Sequence, residues 1–254
     1  MRTDYDLDTK ILHYKINGFV VFEGFMPVAK VDRIREAFMP LLYAVAERRG
    51  RQTSWPNRYT ADAPWIEPFA DPEIYESPVI LGFLDRIWRG GPYLITCYSS
   101  NNPFPGSTYQ HWHRDNPLMT PYTPSPVPTG NIGVKFPLVD TSEENGSFEL
   151  IPSTQYLADP DMESRYDEII EAGGDFTKRR LNMKKGDLWI QDPRTLHRGT
   201  PNRSDYPRPE LVICYSRPWI SQRKIEITRS EYEKLSERSK NLLRESQIID
   251  DSTT

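Results

Sequence analysis

The run NIGVKFPLV (residues 131–139) reads as a strand with two unlike faces. Ile132, Val134, Phe136 and Leu138 point one way, and Asn131, Gly133 and Lys135 the other, because successive side chains of an extended chain alternate. The first face calls for a dry core. The second, with its two polar side chains, calls for a wet cavity. Similar short runs surround it: PYLITCYSS (92–100), SFELIPS (147–153), RRLNMKKGDLWIQD (179–192) and ELVICYSRPW (210–219). Each is punctuated by Pro, Gly or Asn, as strands joined by turns are. The 23 prolines and 14 glycines favour that texture over long helices.

Helical signals lie outside this region. MPVAKVDRIREAFMPLLYAVAERRG (26–50) has apolar residues at Val28, Val31, Ile34, Phe38, Leu41 and Leu42, a helical spacing with Gly50 as the stop. DMESRYDEIIEAG (161–173) is a helical insert, and TRSEYEKLSERSKNLLRES (228–246) a charged closing helix. This order predicts a mainly β fold in one domain, 1–254. Its core is a double-stranded β-helix (jelly roll, cupin-like) over about 92–220, flanked by α-helices, including an N-terminal support at 26–50. A βαβ array does not fit.

Composition excludes several function classes. Net charge is −4, and the short, interrupted basic stretch at 178–185 is not a nucleic-acid footprint. No apolar run approaches a membrane span, and MRTDYDLDTKILHYK is too charged for a signal peptide. Cys97 and Cys214 stand far apart in apolar runs and read as buried thiols, not a disulfide framework. The expectation is a cytoplasmic protein, monomer or homodimer, whose partner is a small molecule.

YQHWHRD (109–115) places His111, His113 and Asp115 at every second position, on one face of an extended chain. Residues two apart there lie about 6.6–7 Å apart at Cα, and residues four apart about 13 Å. His111 with Asp115 is therefore too wide a pair for one ion, which leaves His111/His113 or His113/Asp115. A third ligand must come from elsewhere. His197 sits just past an apolar strand, from which a loop can return it to the first site. Two histidines and one carboxylate leave three adjacent positions open, as non-haem Fe(II) oxygenases need. A hydrolytic zinc would accept the same residues.

Four motifs, in order over roughly 15–246, resemble the phytanoyl-CoA dioxygenase (PhyH-like) family of Fe(II)- and 2-oxoglutarate-dependent oxygenases. NGFVVFEGFMPVAKVDRIREAF (17–38) is similar to the family's opening strand and helix, and QHWHRD (110–115) to its proximal ligand motif. ENGSFELIPSTQ (144–155) is similar to its turn-and-strand segment, and MKKGDLWIQDPRTLHRGTPNRS (183–204) to the segment bearing the distal histidine.

The resemblance implies His113, Asp115 and His197 as ligands of Fe(II), with 2-oxoglutarate and O₂ as cosubstrates. It implies Arg208 as the anchor of the distal carboxylate of 2-oxoglutarate, a role suited to a guanidinium fork. Lys135 and Thr200 are further candidates for cosubstrate contact. Where many members carry Ser or Thr two residues after the distal histidine, this chain has Gly199, and Gln155 replaces a histidine common in the third motif. Related halogenases have Gly or Ala at the position of Asp115, so halogenation is not expected.

The implied reaction is hydroxylation, or a related C–H oxidation, of a small molecule of secondary metabolism, coupled to conversion of 2-oxoglutarate to succinate and CO₂. NPLMTPYTPSPVPTG (116–130) and RGRQTSWPNRYTADAPW (49–65) are candidate covers of the site. Arg58 and Trp55 from the second cover, with His111, are candidate substrate contacts. Two rivals are a metal-dependent hydrolase or isomerase on the same triad and a catalytically inactive jelly-roll binding module. The first has no use for Arg208, and the second would be expected to have lost a ligand.

Overall fold

Asp6 opens the first helix, α1 (Leu7–Asn17), by accepting hydrogen bonds from the amides of Asp8 and Thr9. Gly18 ends it in a left-handed turn, φ 79°, that sends the chain into β1 (Phe19–Phe22). The structure, a computed structural model, describes residues 1–49, 55–115, 129–157, 164–220 and 224–251. After β1 come α2 (Val28–Arg49), β2 (Arg58–Tyr59), α3 (Pro72–Tyr75), α4 (Pro78–Trp88), β3 (Leu94–Ser100) and β4 (Asn102–Pro103). The middle of the chain holds β5 (Asn131–Pro137), β6 (Phe148–Leu150), α5 (Tyr166–Glu171), β7 (Arg179–Leu181), β8 (Leu188–Gln191), β9 (His197–Arg198) and β10 (Glu210–Ser216). It closes with β11 (Glu226–Thr228), α6 (Arg229–Glu233), α7 (Glu237–Leu242) and β12 (Gln247–Ile249).

Five strands form one antiparallel sheet in the order β1-β8-β5-β10-β3, and three form a second in the order β7-β6-β9. The two-faced reading of 131–139 explains how they are used. Ile132, Val134 and Phe136 join Ile190, Leu211 and Ile213 in the main core, packed against Ile11, Ile34, Phe38 and Phe83 of the helices. The opposite face looks at the smaller sheet, and Phe19 and Trp189 of one pack with Phe148, Leu150 and Leu181 of the other. Lys135 points into this space, its ammonium 4.5 Å from the ring centroids of both Phe148 and Trp189.

The expected mainly β composition is not borne out: helix accounts for 30% of the structure and strand for 22%. Three of the helices, α1, α3 and α4, have no counterpart in the periodicity reading. In α4 the buried residues Val79, Ile80, Leu81, Phe83 and Leu84 form a near-continuous apolar run, and such a run alone does not assign helix or strand. The helix expected over 26–50 runs from Val28 to Arg49, through Pro40. The one expected over 228–246 is two short helices, because Ser236 intervenes and accepts from the Ser239 amide to start the second. Of the two candidate covers, residues 50–54 and 116–128 lie outside the described residues, as do 161–163 of the helical insert.

Gly18 is the joint between helix layer and sheet. Its carbonyl accepts hydrogen bonds from the Asp192 amide and the Thr195 hydroxyl. A Cβ at Gly18 would come within 2.1 Å of Thr195 Oγ1, in a backbone conformation that side chains rarely adopt. Gly18→Ala is expected to lower stability by about 2–3 kcal/mol, readable as a lower urea midpoint at unchanged slope. An unchanged midpoint would contradict the tightness of this joint.

Candidate active site

Residues 110–115 lie antiparallel to residues 193–199. The amides of Gln110, His113 and Asp115 donate to the carbonyls of Gly199, His197 and Pro193, and the His197 amide donates back to His113, each at 3.0 Å. His113 and His197 thus exchange both backbone hydrogen bonds, an arrangement that sets their side chains opposite each other on one face. The alternate residues face away and are clamped by α5. Trp112 Nε1 donates to Glu171 at 3.0 Å, its amide to Asp167 at 2.7 Å, and Arg114 donates to the Leu157 carbonyl and to Tyr166. Arg198, next to His197, lies between the rings of Tyr109 and Trp112, 4.3 and 4.5 Å from their centroids, and pairs with Glu149 at 2.7 Å. The two histidine segments are held from outside and meet inside.

Among the described residues, His113, Asp115 and His197 form the one group that could hold a metal ion, their ligand atoms all within 4.8 Å of one another. Asp115 Oδ1 is 3.3 Å from His197 Nε2 and 3.9 Å from His113 Nε2. Both imidazoles are oriented in the same way: His113 Nδ1 lies 2.8 Å from the His111 carbonyl, and His197 Nδ1 2.8 Å from that of Thr195. With each Nδ1–H donating to its carbonyl, both Nε2 lone pairs turn towards Asp115. Burial, with His197 beside it, pushes His113 down to about 4, so it is neutral near pH 7. Desolvation acts to raise Asp115, but His197, Lys135 and His113 together outweigh it and hold the carboxyl below the usual carboxylate range. Two imidazoles and a carboxylate converging on one point suit a divalent transition metal. His111 is outside the group: its exposed ring stands 5.4 Å from that of His113 and 4.7 Å from that of Trp55.

Behind this group lies a residue that sequence reading missed. Gln191, at the end of β8, accepts a hydrogen bond from Lys135 Nζ, and its Nε2 sits 2.9 Å from His197 Nδ1. Lys135 is therefore tied to the imidazole's support instead of projecting freely into the cavity. The signal was available: alternation along LWIQ sets Gln191 on the face of Trp189, and a polar residue there needs a partner.

Three arginines surround the floor. Arg208, just before β10, is 1% exposed, with Nη1 3.6 Å from Glu210 Oε1 and, among the described residues, no hydrogen-bond partner on Nε or Nη2. Burial lowers its pKa, with Glu210 opposing. Thr200 is also buried, but its hydroxyl donates to the Ser147 carbonyl and accepts from Arg180 Nη2, so its proton is not free for a carboxylate. The cosubstrate contact expected at Thr200 requires one of these bonds to give way. Arg58 is no cover-loop residue either. It lies on β2, which pairs with β4, and is 6% exposed, donating inward to the carbonyls of Thr108 and Thr200. The expectation failed because the pairing of β2 buries a segment whose sequence shows no periodicity.

The profile of the phytanoyl-CoA dioxygenase (PhyH) family matches residues 14–209. The chain belongs to the PhyH family. Solved structures share the fold. AviO1 from Streptomyces viridochromogenes Tue57 is 17% identical, with 87% of this chain and 99% of that one covered at a TM-score of 0.63. HygX from Streptomyces hygroscopicus, with nickel, 2-oxoglutarate and hygromycin B bound, is 15% identical over 95% and 96% of the chains, TM-score 0.63. The epimerase SnoN, in complex with Fe³⁺, α-ketoglutarate and nogalamycin RO, is 18% identical over 83% of each chain, TM-score 0.59. This PhyH-family chain is a non-haem iron, 2-oxoglutarate-dependent dioxygenase, using Fe(II), 2-oxoglutarate and O₂. Its residues fit those groups: the His/Asp/His donor set suits the metal, and a buried guanidinium with two unpaired nitrogens suits a carboxylate. No helix among the described residues is long and apolar enough to cross a membrane.

Because Gln191 packs against the His197 imidazole and holds Lys135, Gln191→Ala is expected to weaken Fe(II) or Co(II) affinity by about 10–100-fold. Calorimetric metal titration with unaltered far-UV circular dichroism checks this, and wild-type affinity in the variant contradicts it.

Proposed function

We propose that this PhyH-family enzyme holds iron through His113, Asp115 and His197 on a jelly-roll core, and binds the distal carboxylate of 2-oxoglutarate at Arg208. The observation that carries the reading is the pairing of His113 with His197 opposite Asp115, in a chain that also buries an Arg208 guanidinium only partly paired among the described residues. Iron with 2-oxoglutarate and O₂ supplies the oxidant for a C–H bond, and succinate and CO₂ are the coproducts. The protein's own work is positioning. The carbonyls of His111 and Thr195 hold the two imidazoles, Gln191 packs beside His197 and fixes Lys135, and Lys135 helps to draw Asp115 to its ionised form.

The substrate in this reading is a small molecule of secondary metabolism that reaches the metal past Trp55 and His111. Support comes from their adjoining rings, which form an aromatic wall leading to His113. The bound hygromycin B of HygX and nogalamycin RO of SnoN support the substrate class.

The test is succinate formation from 2-oxoglutarate in air with Fe(II) and ascorbate, run across a panel of such metabolites. Wild-type protein forms succinate. Asp115→Ala loses this by more than the roughly 10–100-fold typical of outer partners. Arg208→Met raises the KM for 2-oxoglutarate more than it lowers kcat. Undiminished succinate from Asp115→Ala would rule the ligand assignment out.

A further inference from the structure

Gly199 stands two residues after His197, so a side chain there would point towards the site as His197 does. That space is taken. A Cβ on Gly199 would lie 2.5 Å from Arg58 Nη1 and 2.5 Å from Gln110 Oε1. Arg58 reaches the spot from β2, the far side of the chain, held by hydrogen bonds from Nε and Nη2 to the Thr108 carbonyl and from Nη2 to that of Thr200. Its Nη1 has no hydrogen-bond partner among the described residues, although the residue is 6% exposed. No carboxylate pairs with it among the described residues, and its charged neighbour is another arginine, Arg208.

Arg58 pairs with Pro103 across β2 and β4, and the Arg208 amide donates to the Pro103 carbonyl, so two buried arginines are anchored on one residue. Three of their guanidinium nitrogens have no hydrogen-bond partner among the described residues, which is costly as it stands. Burial, with the repulsion of Arg208, pushes Arg58 down to about 9. Glu210 offsets only part of this, since its Oε1 is shared with Trp189 Nε1 and its contact to Arg208 is 3.6 Å. An anion between the two arginines would satisfy the open donors and relieve the repulsion.

We propose that Arg58 is a second guanidinium for the distal carboxylate of 2-oxoglutarate, acting with Arg208, and that Gly199 is the residue that admits it. This rests on the functional reading above. The arrangement gives the Gly199 position a physical reason: the polar contact that a side chain at 199 could make is supplied by an arginine from elsewhere in the chain. It also gives a role to Arg58 that neither its segment nor its spacing to the histidines revealed.

The test is calorimetric binding to the Ni(II)-loaded protein, which separates affinity from turnover. 2-Oxoglutarate is compared with pyruvate, which keeps the oxoacid end and lacks the distal carboxylate. Arg58→Met is expected to weaken 2-oxoglutarate at least tenfold and leave pyruvate unchanged, with Arg58→Lys in between. Gly199→Ala, which displaces the guanidinium without removing charge, is expected to weaken 2-oxoglutarate as well. Combining it with Arg58→Met should add nothing further. If Arg58→Met does not fold, Gly199→Ala against the pyruvate control carries the same decision. Wild-type affinity for 2-oxoglutarate in a folded Arg58→Met or in Gly199→Ala overturns the proposal, and so does an equal loss for pyruvate. Wild-type protein that binds no 2-oxoglutarate at all overturns the functional reading along with it.

Discussion

The site depends on one backbone pairing, the exchange of two hydrogen bonds between His113 and His197. Each histidine comes from a short segment with little regular structure of its own, one a bridge residue and the other in a two-residue strand. Pairing them in this register puts both imidazoles on the inner face, and a slip by one residue would turn one of them outward. The rest of the local architecture protects that register. Outside, α5 grips Trp112 and Arg114, and Arg198 packs between Tyr109 and Trp112. Inside, β6 pairs with β9, and the His197 ring stacks on Phe148, centroids 5.0 Å apart.

A second constraint is charge. The space between the sheets is lined by Lys135, Gln191, Glu210 and Arg208, all buried, and receives Arg58 from the side. Apolar packing would stabilise such an interior more simply, because buried ions give up hydration that their partners only partly replace. Here the polar groups divide the work. Lys135 faces the ligand end, between two aromatic rings and against Gln191, while Arg208 and Arg58 stay incompletely paired. The unpaired donors mark where an anion belongs. The dry counterpart is the opposite face of the same sheet, where Ile132, Val134 and Phe136 meet the helices. One strand, β5, contributes to both environments by alternation alone.

That alternation is why 131–139 could be read directly from sequence, and why the histidine–aspartate spacing alone limited the ligand pairs. Regular periodicity also located α2. Other features were illegible for identifiable reasons. The helix α4 opens on an apolar run, Val79 to Leu84, that does not by itself distinguish helix from strand, and Ser236 divides a charged segment whose propensity is helical throughout. Arg58 acts through a contact with Thr200, 142 positions away, which no local pattern encodes. Thr200 is of a type that suits a carboxylate contact, while its proton is engaged by Ser147. Local periodicity specifies which face a residue occupies; the partner waiting on that face is set by chain topology.

The central claim is that one iron is held by His113, Asp115 and His197 with 2-oxoglutarate bound beside it. The most direct measurement is optical titration of the apo-protein, without oxygen, with Fe(II) and then 2-oxoglutarate. The account predicts a visible metal-to-ligand charge-transfer band in the wild-type protein and none in His113→Ala. A band of undiminished intensity in His113→Ala, or no band from the wild-type protein, contradicts it.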